Sequence, residues 1–389
     1  MEEWKTYKLE DLTVDGKGHY GIGAPAVDYD ENKYTYLRIT DINDDGSLNY
    51  SGLKSVDDPE AGKYLLKEGD IVFARTGNST GRSYYYEPSD GQFVFAGFLI
   101  KFSIDPAKVN PRFLKYYTHS KPYFEWVQSF DTGATRGNIN AQTFGAMEIK
   151  LPPREIQDRL VEVLSSLDEK IKLNNRINHN LEDFLLSLYG RLLDSQCGSS
   201  TIGQVSERVY SGGTPDTKNS DYWGGTINWL SSGETSNHFI IDTEKRITEN
   251  GVLHSSTKFA SKYDVVIASA GQGNTRGQTS MTLLDTCINQ SVIVIHANTY
   301  EAPIVFCSLA NRYDELRAIS DASSIRGSLT TKMISALEIP VFPEADTFKF
   351  ASQAKYIIDQ IENNLRENHS LIAMRDSLLP RLMSGEFCK

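Results

Sequence analysis

The sequence holds almost none of the residue groupings that catalysis requires. Its 4 cysteines, Cys197, Cys287, Cys307 and Cys388, fall in no Cys-x-x-Cys or Cys/His ligand spacing, so neither a disulfide framework nor a zinc site is encoded. There is no GxxxxGK[ST] loop, and the nearest stretch, GNTRGQTS (273–280), lacks the lysine that would reach phosphates. GxSxG occurs only as GNSTG (77–81), inside a Gly-rich turn, and HExxH is missing. So is the Asn-Pro-Pro-aromatic signature of amino-methyltransferases, and no acidic-x-Lys follows Pro215-Asp216 as a metal-nuclease motif would need. The chain is expected to do no chemistry of its own and to bind no cofactor or metal. No apolar run approaches the ~18 residues of a membrane span. The opening MEEWKTYKLEDL has no signal-peptide core, and a cytoplasmic location is expected. A basic excess is absent too: 40 Lys and Arg stand against 51 Asp and Glu, a net charge of −11. That excludes a diffuse basic coat for nucleic acid, so any polyanion must be met through local windows.

What the sequence does have is itself, twice. GATRGNINAQTFGAMEIKLPP (133–153) recurs as SSIRGSLTTKMISALEIPVFP (323–343), displaced by 190 residues, with 6 of 21 positions identical. Asn178-His179 and Arg191-Leu192 match Asn368-His369 and Arg381-Leu382 in the same register. GDIVFARTGNSTGR (69–82) answers YDVVIASAGQGNTRG (263–277) at an offset near 194. Two copies this large are not a solenoid, whose units run about 20–50 residues; they imply two similar working ends.

Each copy has two parts. The first alternates Gly, Asn, Asp and Ser turns with short β-branched or aromatic runs, at Asp70–Ala74, Phe93–Phe102, Val265–Ser269 and Ile288–His296, which read as strands. Short helices are expected around Pro111–His119 and Pro303–Arg312. The second part is a long helix. Apolar residues at 160, 164, 167, 171, 181, 185, 188 and 192 step by fours and threes, a coiled-coil seam that skips Asn174 and Asn178. The second copy gives Ile357, Ile361, Leu371, Leu378 and Leu382, with Asn364 and Asn368 in the skipped places and Arg375 interrupting the seam. Each helix packing on its own domain is one reading. The other pairs the two helices antiparallel, Asn174 facing Asn368 and Asn178 facing Asn364, since asparagine in a seam fixes register at some cost in stability. A helix of roughly 35 residues is a rod of about 50 Å. The expected organisation is α+β: two pseudo-symmetric domains, 1–153 and 198–343, separated by two long helices, 154–197 and 344–389, forming an antiparallel coiled coil.

The candidate recognition residues lie in acid-free windows after a strand. In the first copy these are Arg75, Asn78, Ser79, Thr80 and Arg82; in the second they are Ser269, Gln272, Asn274, Thr275 and Arg276. Their side chains are of the kinds that read base edges and phosphates. A polar, Gly-rich surface turn closed by Asx-type bonds would use the same residues. The copies share Gly77/Gly271 and an arginine while the other side chains differ, as in two readers of different sequences. Arg136, Asn138 and Asn140 against Arg326, Ser328, Thr330 and Lys332 form a second set. There the shared Arg-Gly reads as a phosphate clamp or a structural corner.

On SGGTPDTKNSDYWGGTINWLSSGE (211–234), the block around Gly69–Gly77 and the two passages from LPP or VFP into a long helix, the chain resembles the specificity subunits of type I restriction–modification systems. The resemblance covers essentially the whole length. The first copy departs from it by carrying GHYGIGAPAVDYDENKYTYLRITDI (18–42) where the second has GGTP and YWGG. The resemblance implies two target recognition domains, each reading half of a bipartite double-stranded DNA site, and helices that set the spacer. It further implies docking of two modification subunits, which bind S-adenosylmethionine and methylate adenine, and of restriction subunits that use ATP. None of those cofactors is expected on this chain. A coiled-coil adaptor with two protein-binding heads, and a specificity subunit of a methylation-only phage-defence system, remain as alternatives.

Overall fold

The computed structural model describes residues 4–50, 52–130, 137–271, 275–322 and 327–383, with residues 382 and 383 described by backbone alone. Two compact units emerge: residues 1–169 with 371–389, and residues 170–370.

In the first unit an antiparallel sheet runs in the order His19–Tyr20, Leu99–Ser103, Asp70–Ala74, Ser83–Tyr85. A second sheet orders Ala26–Asp28, Lys54–Val56, Tyr34–Leu37 and Phe93–Phe95, the last pair parallel. The apolar run read as one strand over Phe93–Phe102 is therefore two. It breaks at Gly97-Phe98, where the chain leaves one sheet for the other, so a continuous apolar run conceals the corner. The run Ile288–His296 breaks likewise between Thr286–Ile288 and Val292–His296. Helix Pro111–Tyr117 starts on proline behind Asn110, whose side chain accepts from the Arg112 N–H. Lys5–Lys8 pairs with Glu148–Leu151, bringing both ends of the domain together. Phe73, Phe102, Phe113, Tyr123 and Phe144 fill the core and are almost fully buried.

The second unit repeats this plan. Arg208–Ser211, Val292–His296, Val265–Ala268, Thr279–Thr282 and Phe239–Ile240 form one sheet. Lys245–Ile247, Trp223–Leu230, Thr286–Ile288 and Lys258–Ala260 form the other. Gly198–Thr201 pairs with Glu338–Val341 as the chain-end clasp.

Two helices, Arg154–Leu192 and Glu344–Met383, carry the heptad. Each unit holds half of each helix, and within each the halves run antiparallel. In the second unit Asn174 Nδ2 donates to Asn368 Oδ1 at 2.9 Å, and Asn364 Nδ2 donates to Asn178 Oδ1 at 2.8 Å. Asn368 Nδ2 also reaches Asn175 Oδ1 at 2.7 Å, and Glu367 accepts from Asn174 at 2.7 Å and pairs with Lys170 at 3.1 Å. The four seam asparagines thus bond to one another across the interface, which favours a single register, although Asn174 Oδ1 and Asn178 Nδ2 are buried without a partner. Around them Leu185, Tyr189, Leu192, Ile357, Ile358 and Ile361 join the domain's own core. In the first unit Leu160, Val161, Leu164 and Leu379 do the same.

The first unit also holds a half-buried polar layer. Asp168 accepts from Lys115 Nζ at 2.9 Å, from the Tyr116 hydroxyl at 3.0 Å and from Arg375 at 3.2 Å, and Lys115 lies 3.3 Å from Glu87. Beside it sits His119, its ring beneath Gly46, where a Cβ would meet Nε2 at 2.5 Å. Burial pushes the His119 pKa down to about 4; Asp45 opposes the shift, and Arg375 and Lys115 add to it. The ring is neutral in the native state and gains a proton on unfolding below its ordinary value of 6.5. Stability is then full above pH 6.5 and falls as pH drops toward about 4, by on the order of 3 kcal/mol, because the unfolded state binds the extra proton. In urea unfolding at pH 7 and pH 5, His119→Leu should show a shallower loss than the parent; an unchanged pH slope contradicts the assignment.

Candidate nucleic-acid interface

In each unit the fold brings the two sequence windows together. The strand Asp70–Ala74 ends in a loop that closes when Gly81 N–H donates to the Ala74 carbonyl and Ala74 N–H to the Arg82 carbonyl, both at 2.8 Å. Ile139 N–H then donates to the Arg75 carbonyl at 2.9 Å, and Asn138 bridges Thr76. Thr80 Oγ1 ties the corner by donating to the Gly137 carbonyl at 2.9 Å. Asn140 caps helix Ala141–Gly145 by accepting from Thr143 N–H at 2.8 Å.

The second unit makes the same corner. Gly277 N–H donates to the Ala268 carbonyl at 2.9 Å, Ala268 N–H to Gln278 at 3.0 Å, and Leu329 N–H to Ser269 at 2.9 Å. Thr330 caps helix Thr331–Ser335 as Asn140 does. The closing bonds place Gly277 opposite Gly81, so the second loop is two residues longer. Gln278, not Arg276, therefore answers Arg82. Arg276 instead takes the place of Thr80: its guanidinium donates to the Gly327 carbonyl and pairs with Asp321.

The remaining candidates divide by what they touch. Arg82 is committed to Asp44 at 2.6 Å and to the Ile42 carbonyl at 3.0 Å. Ser79 and Ser269 are buried, and Thr275 and Ser328 half-buried. Asn78, Asn138 and Lys332 are exposed. Arg136, Gln272, Asn274 and Arg326 lie outside the described residues.

Arg75 stands apart. Its guanidinium lies 5.1 Å from the centroid of the Tyr20 ring and, among the described residues, has no acceptor; Nε is buried without one. The Tyr20 hydroxyl is held by Ala141 N–H at 3.1 Å, and Arg75 N–H donates to the carbonyl of Phe98, whose side chain is exposed. Strand pairing puts Tyr20 opposite Ile100 and Ser211 opposite Ile293, while Ser269 N–H donates to the Ser291 carbonyl at 2.8 Å. The counterparts of Arg75, Tyr20 and Phe98 are thus Ser269, Ser211 and Ser291. One corner presents a cation on an aromatic shelf, and the other has serine at all three positions, with Ser269 buried. Tyr20 and Phe98 lie outside the acid-free windows that the sequence marks. The exposed aromatic in GFLI (97–100) was the available signal.

Among the described residues no group of three or more His, Cys, Asp or Glu could hold a metal ion, and no helix is long and apolar enough to cross a membrane. The cysteines Cys287 and Cys307 are buried, which pushes their thiols up from the ordinary range.

Residues 1–183 match the family model described as the type I restriction modification DNA specificity domain. The chain is 20% identical to the HindI specificity subunit of Haemophilus influenzae, over 99% of this chain and 100% of that one. It is 21% identical to the MjaIX specificity subunit of Methanocaldococcus jannaschii, covering 70% of this chain and 68% of that one. The crystal structure of a type I restriction–modification S subunit from M. genitalium shares the fold. Its TM-score is 0.59 at 16% identity, across 97% of this chain and 96% of that one.

Proposed function

We propose, for a chain that stands among the type I restriction–modification specificity subunits, that it is the non-catalytic reader of a bipartite double-stranded DNA site. Domains 1–153 and 198–343 would each read one half-site, and the helices within 154–197 and 344–389 would fix the spacer between them. The observation that carries this reading is the corner built twice on one backbone plan with different side chains, Arg75, Tyr20 and Phe98 against Ser269, Ser211 and Ser291. A frame shared by both copies with exchanged side chains, an exposed Tyr20 and Phe98 beside Arg75 in one and a buried Ser269 in the other, is what two readers of unlike half-sites require, because frame contacts position and side chains specify.

The net charge of −11 means that little phosphate affinity can come from this chain alone. Two modification subunits would supply it, together with S-adenosylmethionine and adenine methylation, and restriction subunits would add ATP-driven cleavage, all in the cytoplasm. Arg276 and Arg82, held by Asp321 and Asp44, then serve the frame rather than the reading. Mapping methylated adenines in the host genome with and without the gene tests the proposal. Loss of a single bipartite, adenine-containing motif is expected. An unchanged methylome, together with no protected bipartite site in footprints of the chain with its copurifying partners, would leave an adaptor with two protein-binding heads.

A further inference from the structure

Although the two units share one backbone plan, the polar layer around Asp168 exists in only one of them. The helix positions are related by 190 residues, so Asp168 and Arg375 correspond to Ile358 and Leu185. Both of those are fully buried in the second unit's core. Glu87 corresponds to Leu283, because Tyr86 N–H and Thr282 N–H make the same bond to Asp70 and Asp264. The helix that supplies Lys115 and Tyr116 is answered by Ala302–Ala310, buried from Ala302 to Leu309 and without a charge. A cluster of two carboxylates, a lysine and an arginine in one unit is matched by hydrocarbon in the other.

The asparagine layer behaves differently. Asn174 and Asn178 of the first copy and Asn364 and Asn368 of the second are the same residue at the same positions. If the first helices of two separate chains paired in this register, Asn174 would meet Asn178 and the layer would re-form. The second helices would do likewise, Asn364 meeting Asn368. Asparagine therefore sets register without choosing a partner.

The charged layer does choose. Two first helices would put Asp168 opposite Leu185, and two second helices would put Arg375 opposite Ile358. Two first helices would leave Asp168 with Lys115 and Tyr116 but set leucine where the Arg375 guanidinium stands. Two second helices would leave Arg375 with Asp376 and set isoleucine where Asp168 stands. Each mispairing strips a half-buried charge of one partner and faces it with hydrocarbon, a destabilising arrangement. Only first copy against second copy satisfies both. The choice matters during synthesis: at about 5–20 residues per second, the first copy and its sticky helix exist for a time with no second copy on the same chain. Other nascent first copies are then the only partners in reach.

We propose that the Asp168–Arg375–Lys115 layer is a pairing code that rejects first-copy-with-first-copy and second-copy-with-second-copy dimers, reserving each helix for the other copy of the duplicated chain. The inference does not depend on what the domains bind.

Cysteine reporters in the full chain, with Cys197 and Cys388 changed to serine, test it. Lys170 contacts Glu367, whose first-copy counterpart is Ile177. Lys170→Cys with Glu367→Cys reports correct pairing as a disulfide within one chain. Lys170→Cys with Ile177→Cys reports mispairing as a disulfide between chains, since seven residues along one helix, about 10 Å, is too far to bridge internally. After refolding at high protein concentration, the parent layer should close the first reporter and give few covalent dimers with the second. Asp168→Ile with Arg375→Leu should raise the dimer yield several-fold while the first reporter still closes, and the milder Asp168→Asn should fall between. Equal dimer yields in parent and variants overturn the proposal. Should the Ile/Leu chain fail to close the first reporter, Asp168→Asn decides, and no gain in dimers there overturns it.

Discussion

Asp168→Ala should lower the stability of the chain by about 2–3 kcal/mol, below the roughly 3–5 kcal/mol for one partner of a fully buried charge pair because Asp168 is half-buried. Asp168 is a hub rather than one end of a pair: Lys115, Tyr116 and Arg375 all converge on its two oxygens. Burial alone would push its carboxyl up, but the two cations and the hydroxyl outweigh it and hold the pKa below the usual value. The group is thus charged in the native state, and it contributes stability above its unfolded pKa that is lost as pH falls through the folded one. Truncation leaves Arg375 and Lys115 facing a low-dielectric layer, with Asp376 and Glu87 as their remaining partners. Denaturant unfolding measures the loss, and a double-mutant cycle with Arg375→Ala should return a coupling of roughly 1 kcal/mol or more. A total loss under about 1 kcal/mol would instead mark the pair as no stronger than a surface ion pair.

That hub also shows which features the sequence exposes and which it hides. The helices and their antiparallel pairing are legible because a period of 3.5 residues is a local signal, and the skipped asparagines mark the register from either copy alone. The hub is not legible, because Glu87, Lys115, Asp168 and Arg375 come from four distant segments and nothing local distinguishes them from solvated charges. Arg375 reads as a flaw in the seam until its partner is seen. The recognition corner divides the same way. Loop and window are both visible as acid-free stretches, but their contact runs through backbone bonds such as Arg75 to Ile139. The two extra residues of the second loop move Arg276 from the place of Arg82 to that of Thr80. A shift of two residues is invisible to an alignment by eye when both copies read Gly, Asn, Thr and Arg in nearly the same order. Tyr20 reaches Arg75 only through a strand pairing that crosses 80 residues of chain.

On the proposed reading of DNA half-sites, Arg75→Ala should weaken binding of the assembled complex to its site by about 1–3 kcal/mol, the discrimination carried by one bidentate arginine–base contact. The loss should fall on one half-site alone. Three features of Arg75 lead to this expectation rather than to a uniform one. Its guanidinium has no acceptor among the described residues, unlike those of Arg82 and Arg276. It rests on the Tyr20 ring, which fixes the plane of the fork before binding and lowers the entropy lost on contact. Its counterpart Ser269 is buried and uncharged, so the second half-site cannot depend on an arginine there. Arg75→Lys keeps the charge but loses the planar fork, and should recover little of the affinity. Tyr20→Ala should weaken the same half-site by less, because the cation remains while its shelf and the bond to Ala141 are lost. Binding measured against a panel of single-base changes in each half-site separates the outcomes. If Arg75→Ala weakens every sequence equally and reduces the salt dependence by about one counterion, Arg75 grips a phosphate. If it relaxes selectivity at one position of one half-site and leaves the other untouched, the shelf and its cation are the reader.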